Sequence, residues 1–404
     1  MDDTLKGNLI VGQSGGPTAV INSSLVGVIR EAKKHPEIDG IYGAIHGIEG
    51  VLSENLVDLR REDEITLEGI MRTPSAALGS CRHKVTPGEY DKILDVFKKY
   101  NIRYFFYIGG NDSADTSHKI GKLAKESGYE LRVIGIPKTI DNDLAITDHS
   151  PGYGSVARFI AIATMDAGKD TEAIGIVDKV KVIEAMGRNA GWITAASALG
   201  KKSAEDPPHL IYVPERPIGI DKMLKDVKEV YDSLGHVVIV ICEGAKDESG
   251  NFLSASSRAI DVDAFGHKQL GGAADALCKL ISGNLGLKAR FDKPGTIQRM
   301  SMVCVSEVDL KEAYMVGEAA VRYAAGGETD KMVILVRETG PEYRCTTGLA
   351  DLEEIANAEK KLPDEFINAE GNFVTQKFID YAMPLIGGPL PVYMRLRKYP
   401  IALA

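Results

Sequence analysis

Cysteine is scarce and scattered in this chain: Cys81, Cys242, Cys278, Cys304 and Cys345 are five in number, and no two form a CxxC pair. That excludes a disulfide framework and a paired-thiolate zinc site, and it suits a reducing cytoplasm. Excess positive charge is also missing. The 48 Lys and Arg against 57 Asp and Glu leave a net charge of -9, which argues against nonspecific binding to nucleic acid or to an anionic membrane. The opening MDDTLKGNLIVG has neither the basic nor the apolar region of a signal peptide, and no apolar run reaches the length of a membrane span. The expectation is a protein neither secreted nor embedded. The eight histidines show no HExxH spacing, and neither a GxSxG elbow nor a GxGxxG with a downstream acid is present. Metalloprotease, acyl-transfer and dinucleotide-dependent redox chemistry therefore lack support.

What the chain does have is rhythm. Short buried-strand runs, NLIVG (8 to 12), IYGAI (41 to 45), YFFYI (104 to 108), LRVIGI (131 to 136), VKVIEAMG (180 to 187), HLIYV (209 to 213), HVVIVIC (236 to 242) and MVILV (332 to 336), alternate with amphipathic helical stretches such as SSLVGVIREAKKH and DKMLKDVKEVYDSLG. Continuous apolar strands followed by glycine and then helical spacing predict an α/β fold of two doubly wound, mainly parallel-sheet lobes. With 404 residues, 44% of them hydrophobic, the chain can bury full cores. The boundaries read from it are residues 1–155, with a break at PGYGS, then 156–299, and a segment 300–404 that completes the lobes and adds an extension. The tail beyond MVILV carries no readable motif, and packing or an interface is its default role.

In such sheets ligands gather beyond the carboxyl ends of the strands, which directs attention to QSGGPTAVIN, GGNDS, PKTIDND, MGRNAGW and EGA. Gly15 and Gly16 could bring backbone amides to a phosphate or merely form a tight turn. Asp112 and Ser113 could meet a ligand or cap the following helix. PKTIDND crowds two carboxylates, a carboxamide, a hydroxyl and a lysine into seven residues, more than an Asx-rich turn requires; in an extended segment Asp141 and Asp143 would share one side and Asn142 the other. Arg188 is either a clamp or a solvated surface arginine. Glu243 either accepts from sugar hydroxyls or caps a helix. Arg82 in LGSCR and the cluster Lys288, Arg290, Lys293 and Arg299 are candidate phosphate clamps in an acidic protein.

The ordered set SGG (14 to 16), GSCR (79 to 82), GGNDS (109 to 113), PKTIDND (137 to 143), MGR (186 to 188), Glu243 and GTIQR (295 to 299) resembles the phosphofructokinase family from about residue 8 to 325. The resemblance implies two α/β lobes with the active site between them, the first taking the phosphoryl donor and the second the sugar phosphate. It makes Asp141 the general base toward the 1-hydroxyl of fructose 6-phosphate, with Thr139, Ile140 and Asp143 beside it. Arg82 and the Gly15 amide would stabilise the transferred group, with Gly16 next to them in the donor site. Met186, Gly187, Arg188, Glu243, Thr296, Ile297, Gln298 and Arg299 would hold the sugar phosphate. Lys179 and Arg290 would reach it from a neighbouring subunit, which implies a homodimer or homotetramer. Thr296 stands where many relatives have His or Tyr.

Family members that use ATP show GGDGS and PGTIDND, and those that use pyrophosphate show GGDDS and PKTIDND. Asp112 and Lys138 occupy the discriminating places here. A carboxylate at position 112 repels the α-phosphate of a nucleotide, and Lys138 supplies a cation for the leaving phosphate, so the resemblance implies pyrophosphate as donor with Mg2+ as cofactor. Asn111 departs from the family's acidic residue at a position associated with the metal; it and Asp143 are the expected ligands, a neutral amide oxygen being the weaker of the two. An ATP-dependent enzyme and a catalytically silent sugar-phosphate sensor are the rival readings.

Overall fold

The computed structural model describes residues 5–256, 261–262, 268–269 and 272–401. The first part of the chain lays down β1 (Gly7–Gln13), β2 (Ile38–Ala44), β3 (Leu56–Asp58), β4 (Ile102–Gly109) and β5 (Arg132–Pro137). The chain then crosses on the helix Tyr153–Ile174 to β6 (Val180–Ala185), β7 (Leu210–Tyr212) and β8 (Val237–Cys242), and, after the two-residue pair β9 (Asp261–Val262) and β10 (Lys268–Gln269), to β11 (Ala289–Asp292). It returns for β12 (Lys331–Arg337) and β13 (Cys345–Asp351). Two main sheets result, in the orders β13-β12-β5-β4-β1-β2-β3 and β11-β6-β8-β7. The interior strands are parallel and both edges of the larger sheet are antiparallel. Among the described residues no helix is long and apolar enough to cross a membrane.

All eight strands expected from apolar runs are present. They are buried on both faces, because helices cover each side of a parallel sheet, and Leu9, Ile10 and Val11 of β1 are wholly inaccessible. Besides the two-residue pair β9 and β10, the strands that went unread are β3, β11 and β13. Each lies at a sheet edge and is largely exposed or half-buried, so none presents the continuous apolar run by which interior strands are recognised.

Register fixes the site. Gly12 pairs with Ala44 and Tyr107, and Gly109 pairs with Pro137, so the loops after β1, β4 and β5 leave the larger sheet side by side. In the smaller sheet Ala185 pairs with Cys242, which sets MGR next to Glu243. The C-terminal region is integral to the structure: Phe378, Leu385 and Ile386 are buried in one core with Tyr153, Trp192 and Val240 of the second lobe.

The helices Ile21–Ala32 and Glu307–Ala325 cross on the larger sheet with backbones in near contact. A methyl group at Gly27 would stand 2.3 Å from the Tyr314 carbonyl, and one at Gly317 2.1 Å from the Ser24 carbonyl. Because the obstructing atoms are backbone, Gly317→Ala should lower stability by about 2 kcal/mol despite the better helix propensity of alanine. Urea unfolding measures this, and an equal or higher midpoint would show that the crossing can open freely.

Candidate active site

The loops at the two sets of strand ends face each other across a cleft of about 510 Å³. From the first lobe come Ser14, Gly15 and Gly16 after β1, Asn111 and Asp112 after β4, and Lys138, Thr139, Ile140, Asp141 and Asp143 after β5; Arg82 joins them. Met186 and Arg188 enter after β6, Glu243 after β8, and Arg299 from the short helix Ile297–Met300.

Gly15 takes a positive φ of 74°, which glycine adopts without strain. A Cβ there would stand 3.1 Å from Lys138 Nζ, and one on Gly16 would stand 2.6 Å from Arg299 Nη1. The glycines thus leave room for two cations. The Gly15 amide, expected to meet a phosphoryl group, instead donates to the Cys81 carbonyl at 3.0 Å. That bond ties the SGG loop to the Arg82 loop, so what Gly15 contributes here is placement.

Lys138 is buried, donates to the Gly16 carbonyl at 2.9 Å, and has its pKa pulled down to about 8 by burial and by the neighbouring Arg299. Arg299 is itself shifted down by burial and by Arg82. Its buried Nε has no hydrogen-bond partner among the described residues. Two guanidinium groups and an ammonium held together in this way are stabilised by an anion between them.

The β5 loop turns sharply at Asn142, whose φ is 54°, so the segment is not extended. Asp141 and Asp143 nevertheless both line the cleft while Asn142 is fully buried behind them, donating to Tyr381 Oη at 3.0 Å and accepting from the Ser150 amide at 3.0 Å. Burial raises the carboxyl pKa of Asp141, and the nearby charges of Asp143 and Glu243 add to the shift. Asp143 is raised by burial as well, as is Glu243, which accepts from the Gly187 amide at 3.3 Å. A raised carboxyl on the cleft floor is matched to proton transfer near neutral pH.

Several expectations require correction. The helix after β4 begins at Asn111, and Gly110 is its N-cap; Asp112 lies in the first turn and does not cap it. Gln298 is buried away from the cleft, accepting from the Met186 amide at 3.1 Å and donating to the Gly295 carbonyl at 2.9 Å, so it buttresses the MGR loop. Thr296 and Ile297 are exposed outside the cleft. Gly187 sits behind the lining, where a Cβ would meet the Ala190 carbonyl at 2.5 Å. Lys179 and Arg290, which are expected to serve a neighbouring subunit, lie outside this chain's own cleft, where Lys179 donates to Tyr231 Oη at 2.8 Å and Arg290 pairs with Asp178 at 2.7 Å. The C-terminal region, expected only to pack, lines the cleft with Ala356, Asn357, Ala358 and Glu359. Asn189 and Ala190 also line it. No motif marked residues 356–359, since they follow no buried strand; only the folded path brings them in.

The donor set suits a hard cation. Asn111 donates through Nδ2 to the Ala358 carbonyl at 3.2 Å, which leaves its buried Oδ1 without a partner among the described residues, on the same cleft as Asp143. An orphaned amide oxygen near a carboxylate fits Mg2+.

The profile of the family described as Phosphofructokinase matches residues 8–322. The chain belongs to the phosphofructokinase family. A pyrophosphate--fructose 6-phosphate 1-phosphotransferase of Rhodospirillum rubrum is 44% identical over 402 residues, covering 98% of each chain. One of Halomonas elongata is 42% identical over 94% of this chain and 92% of its own. The crystal structure of a pyrophosphate-dependent phosphofructokinase from Marinobacter aquaeolei superimposes with a TM-score of 0.86 at 40% identity, covering 96% of this chain and 94% of that one. The phosphofructokinase fold accounts for the two lobes and the cleft between them.

Replacing Gly16 by alanine should displace the Arg299 guanidinium and weaken binding of inorganic phosphate about tenfold, the worth of one charge-assisted hydrogen bond. Isothermal calorimetry reads this directly, and unchanged affinity would mean that Gly16 does not set Arg299.

Proposed function

We propose that the protein transfers a phosphoryl group from pyrophosphate to the 1-hydroxyl of D-fructose 6-phosphate, giving fructose 1,6-bisphosphate and phosphate, reversibly and as a step of glycolysis. The observation that carries this reading is the juxtaposition on one cleft of the raised Asp141 carboxyl, the buried Lys138 ammonium and the Arg82 and Arg299 guanidinium groups. The named activities of the relatives agree with it.

Asp141, ionised, accepts the proton of the sugar hydroxyl as that oxygen attacks the nearer phosphorus; the bond to the bridging oxygen breaks and phosphate leaves toward Lys138. Arg82 and Arg299 face the charge that spreads over the equatorial oxygens, which is the main demand of phosphoryl transfer on a protein. Thr139 Oγ1 accepts from the Asp141 amide at 3.1 Å and so helps fix the loop that carries the base. Met186, Arg188 and Glu243 hold the sugar phosphate from the second lobe. Asn111 and Asp143 would hold Mg2+, which when bound neutralises donor charge and orients the pyrophosphate oxygens. Asp112, exposed at the mouth, repels the α-phosphate of a nucleotide and leaves room for pyrophosphate. The same reading assigns residues 1–155 to the donor and 156–299 to the sugar phosphate. It places the enzyme in the cytoplasm, in keeping with five free cysteines, as a homodimer or homotetramer in which Lys179 and Arg290 serve the neighbouring subunit.

In a coupled assay Asp141→Asn should lose roughly two to four orders of magnitude in kcat while still binding fructose 6-phosphate. Because the base must be ionised and its pKa is raised, activity should fall as pH drops through a value above the ordinary carboxylate range. A kcat/KM profile flat to pH 4 would assign the proton transfer elsewhere. Asp112→Gly combined with Lys138→Gly should lower pyrophosphate turnover and relax rejection of ATP; undiminished pyrophosphate turnover would show that these residues do not select the donor.

A further inference from the structure

The segment 357–362 touches both lobes beside the site. Asn111 at the donor end reaches its Ala358 carbonyl at 3.2 Å, and Glu359 bridges to Leu144. The Lys360 amide donates to the Asp143 carbonyl at 2.7 Å. From the second lobe the Trp192 indole donates to the Lys360 carbonyl at 3.1 Å, Lys361 Nζ donates to the Asn189 carbonyl at 2.7 Å, and the Leu362 amide donates to Glu215 Oε1 at 2.9 Å.

Lys360 is the centre of this arrangement. Its mostly buried ammonium donates to the carbonyls of Asp148 at 2.8 Å and Thr147 at 3.1 Å, approaches Asn142 Oδ1 at 3.4 Å, and lies 5.2 Å from the centre of the Trp192 ring. All three oxygens belong to the inner side of the loop whose outer side bears Asp141 and Asp143. A buried cation donating to three oxygens of one loop resists any movement that would separate them, because each broken bond leaves a polar group out of water.

We propose that residues 357–362 are a strap across the interlobe junction and that Lys360 is a positioning residue, holding the 139–148 loop from behind so that Asp141 and Asp143 keep their place in the cleft. The claim rests on the phosphoryl-transfer reading for its kinetic consequences only.

The test is the full-length protein with Lys360→Met, which keeps the side chain's length and removes its charge, beside Lys360→Arg. Without substrate, hydrogen–deuterium exchange over residues 139–148 should quicken at least about tenfold in Lys360→Met while β1 and β4 keep their wild-type rates. With pyrophosphate and fructose 6-phosphate, kcat should fall about 10- to 100-fold with KM for the sugar within about twofold. Lys360→Arg, which keeps the charge and can still donate, should lose less kcat than Lys360→Met. Unchanged exchange over 139–148 overturns the proposal, as does a loss of kcat matched by an equal rise in KM. Should Lys360→Met fail to fold, Lys360→Gln decides, its shorter neutral amide being unable to span the three oxygens: faster loop exchange supports the strap and wild-type exchange overturns it. A wild-type enzyme inactive with pyrophosphate removes the donor reading, and the exchange experiment still judges the strap by itself.

Discussion

Two carboxylates of like charge, half-buried within one turn of chain, are the constraint on which the rest of this structure depends. Burial and mutual repulsion both oppose ionisation of Asp141 and Asp143, and a flexible loop would relieve the strain by swinging them into water. The loop is prevented from doing so by its inner side. Asn142, Thr147 and His149 are buried, and partners from distant sequence hold them: Tyr381, Lys360, Leu335 and Glu312. The helix Glu307–Ala325 adds Asp309, whose carboxylate accepts from the amides of Gly152 and Ser155 and so fixes the start of the crossover helix. The site is assembled on one surface of a loop whose other surface is held by hydrogen bonds from distant parts of the chain.

Charge in the cleft follows a local logic that net charge conceals. A protein of net charge -9 handles anions by setting Lys138, Arg82, Arg188 and Arg299 around one space. The start of the helix Asn111–Glu126 would ordinarily welcome a phosphate. Asp112 in its first turn supplies a negative charge there instead, and the proposed choice of donor turns on that charge and on Lys138.

How much of this could be read from sequence divides along physical lines. YFFYIGG and LRVIGIPKT announce buried strands and the residues that leave them, and parallel register makes those exits neighbours, so Asn111, Asp112, Lys138 and Asp141 were found together. Strand-end reasoning left Gly15 as either a phosphate contact or a tight turn, and the family resemblance assigned its amide to a ligand with no sign in the sequence that the Cys81 carbonyl lay within reach. The resemblance likewise assigned Gln298 to the sugar, although membership of GTIQR does not say which side of a short helix faces the cleft. Edge strands β11 and β13 lack the apolar runs of interior strands. Residues 356–359 enter by way of tertiary path alone, which leaves no local pattern to detect.

The return of the chain to its first sheet has a consequence for biosynthesis. β5 finds its neighbour β12 only after nearly two hundred further residues have been made, and the residues that line the last wall of the cleft follow later still. A ribosome-bound chain can build β1, β2, β4 and the crossover helix, yet the loop bearing Asp141 has no Lys360 or Tyr381 behind it. The framework behind the Asp141 loop is therefore complete only once residues 356–381 have been made, and a chain interrupted before that point carries Asp141 and Asp143 without the groups that hold them in place.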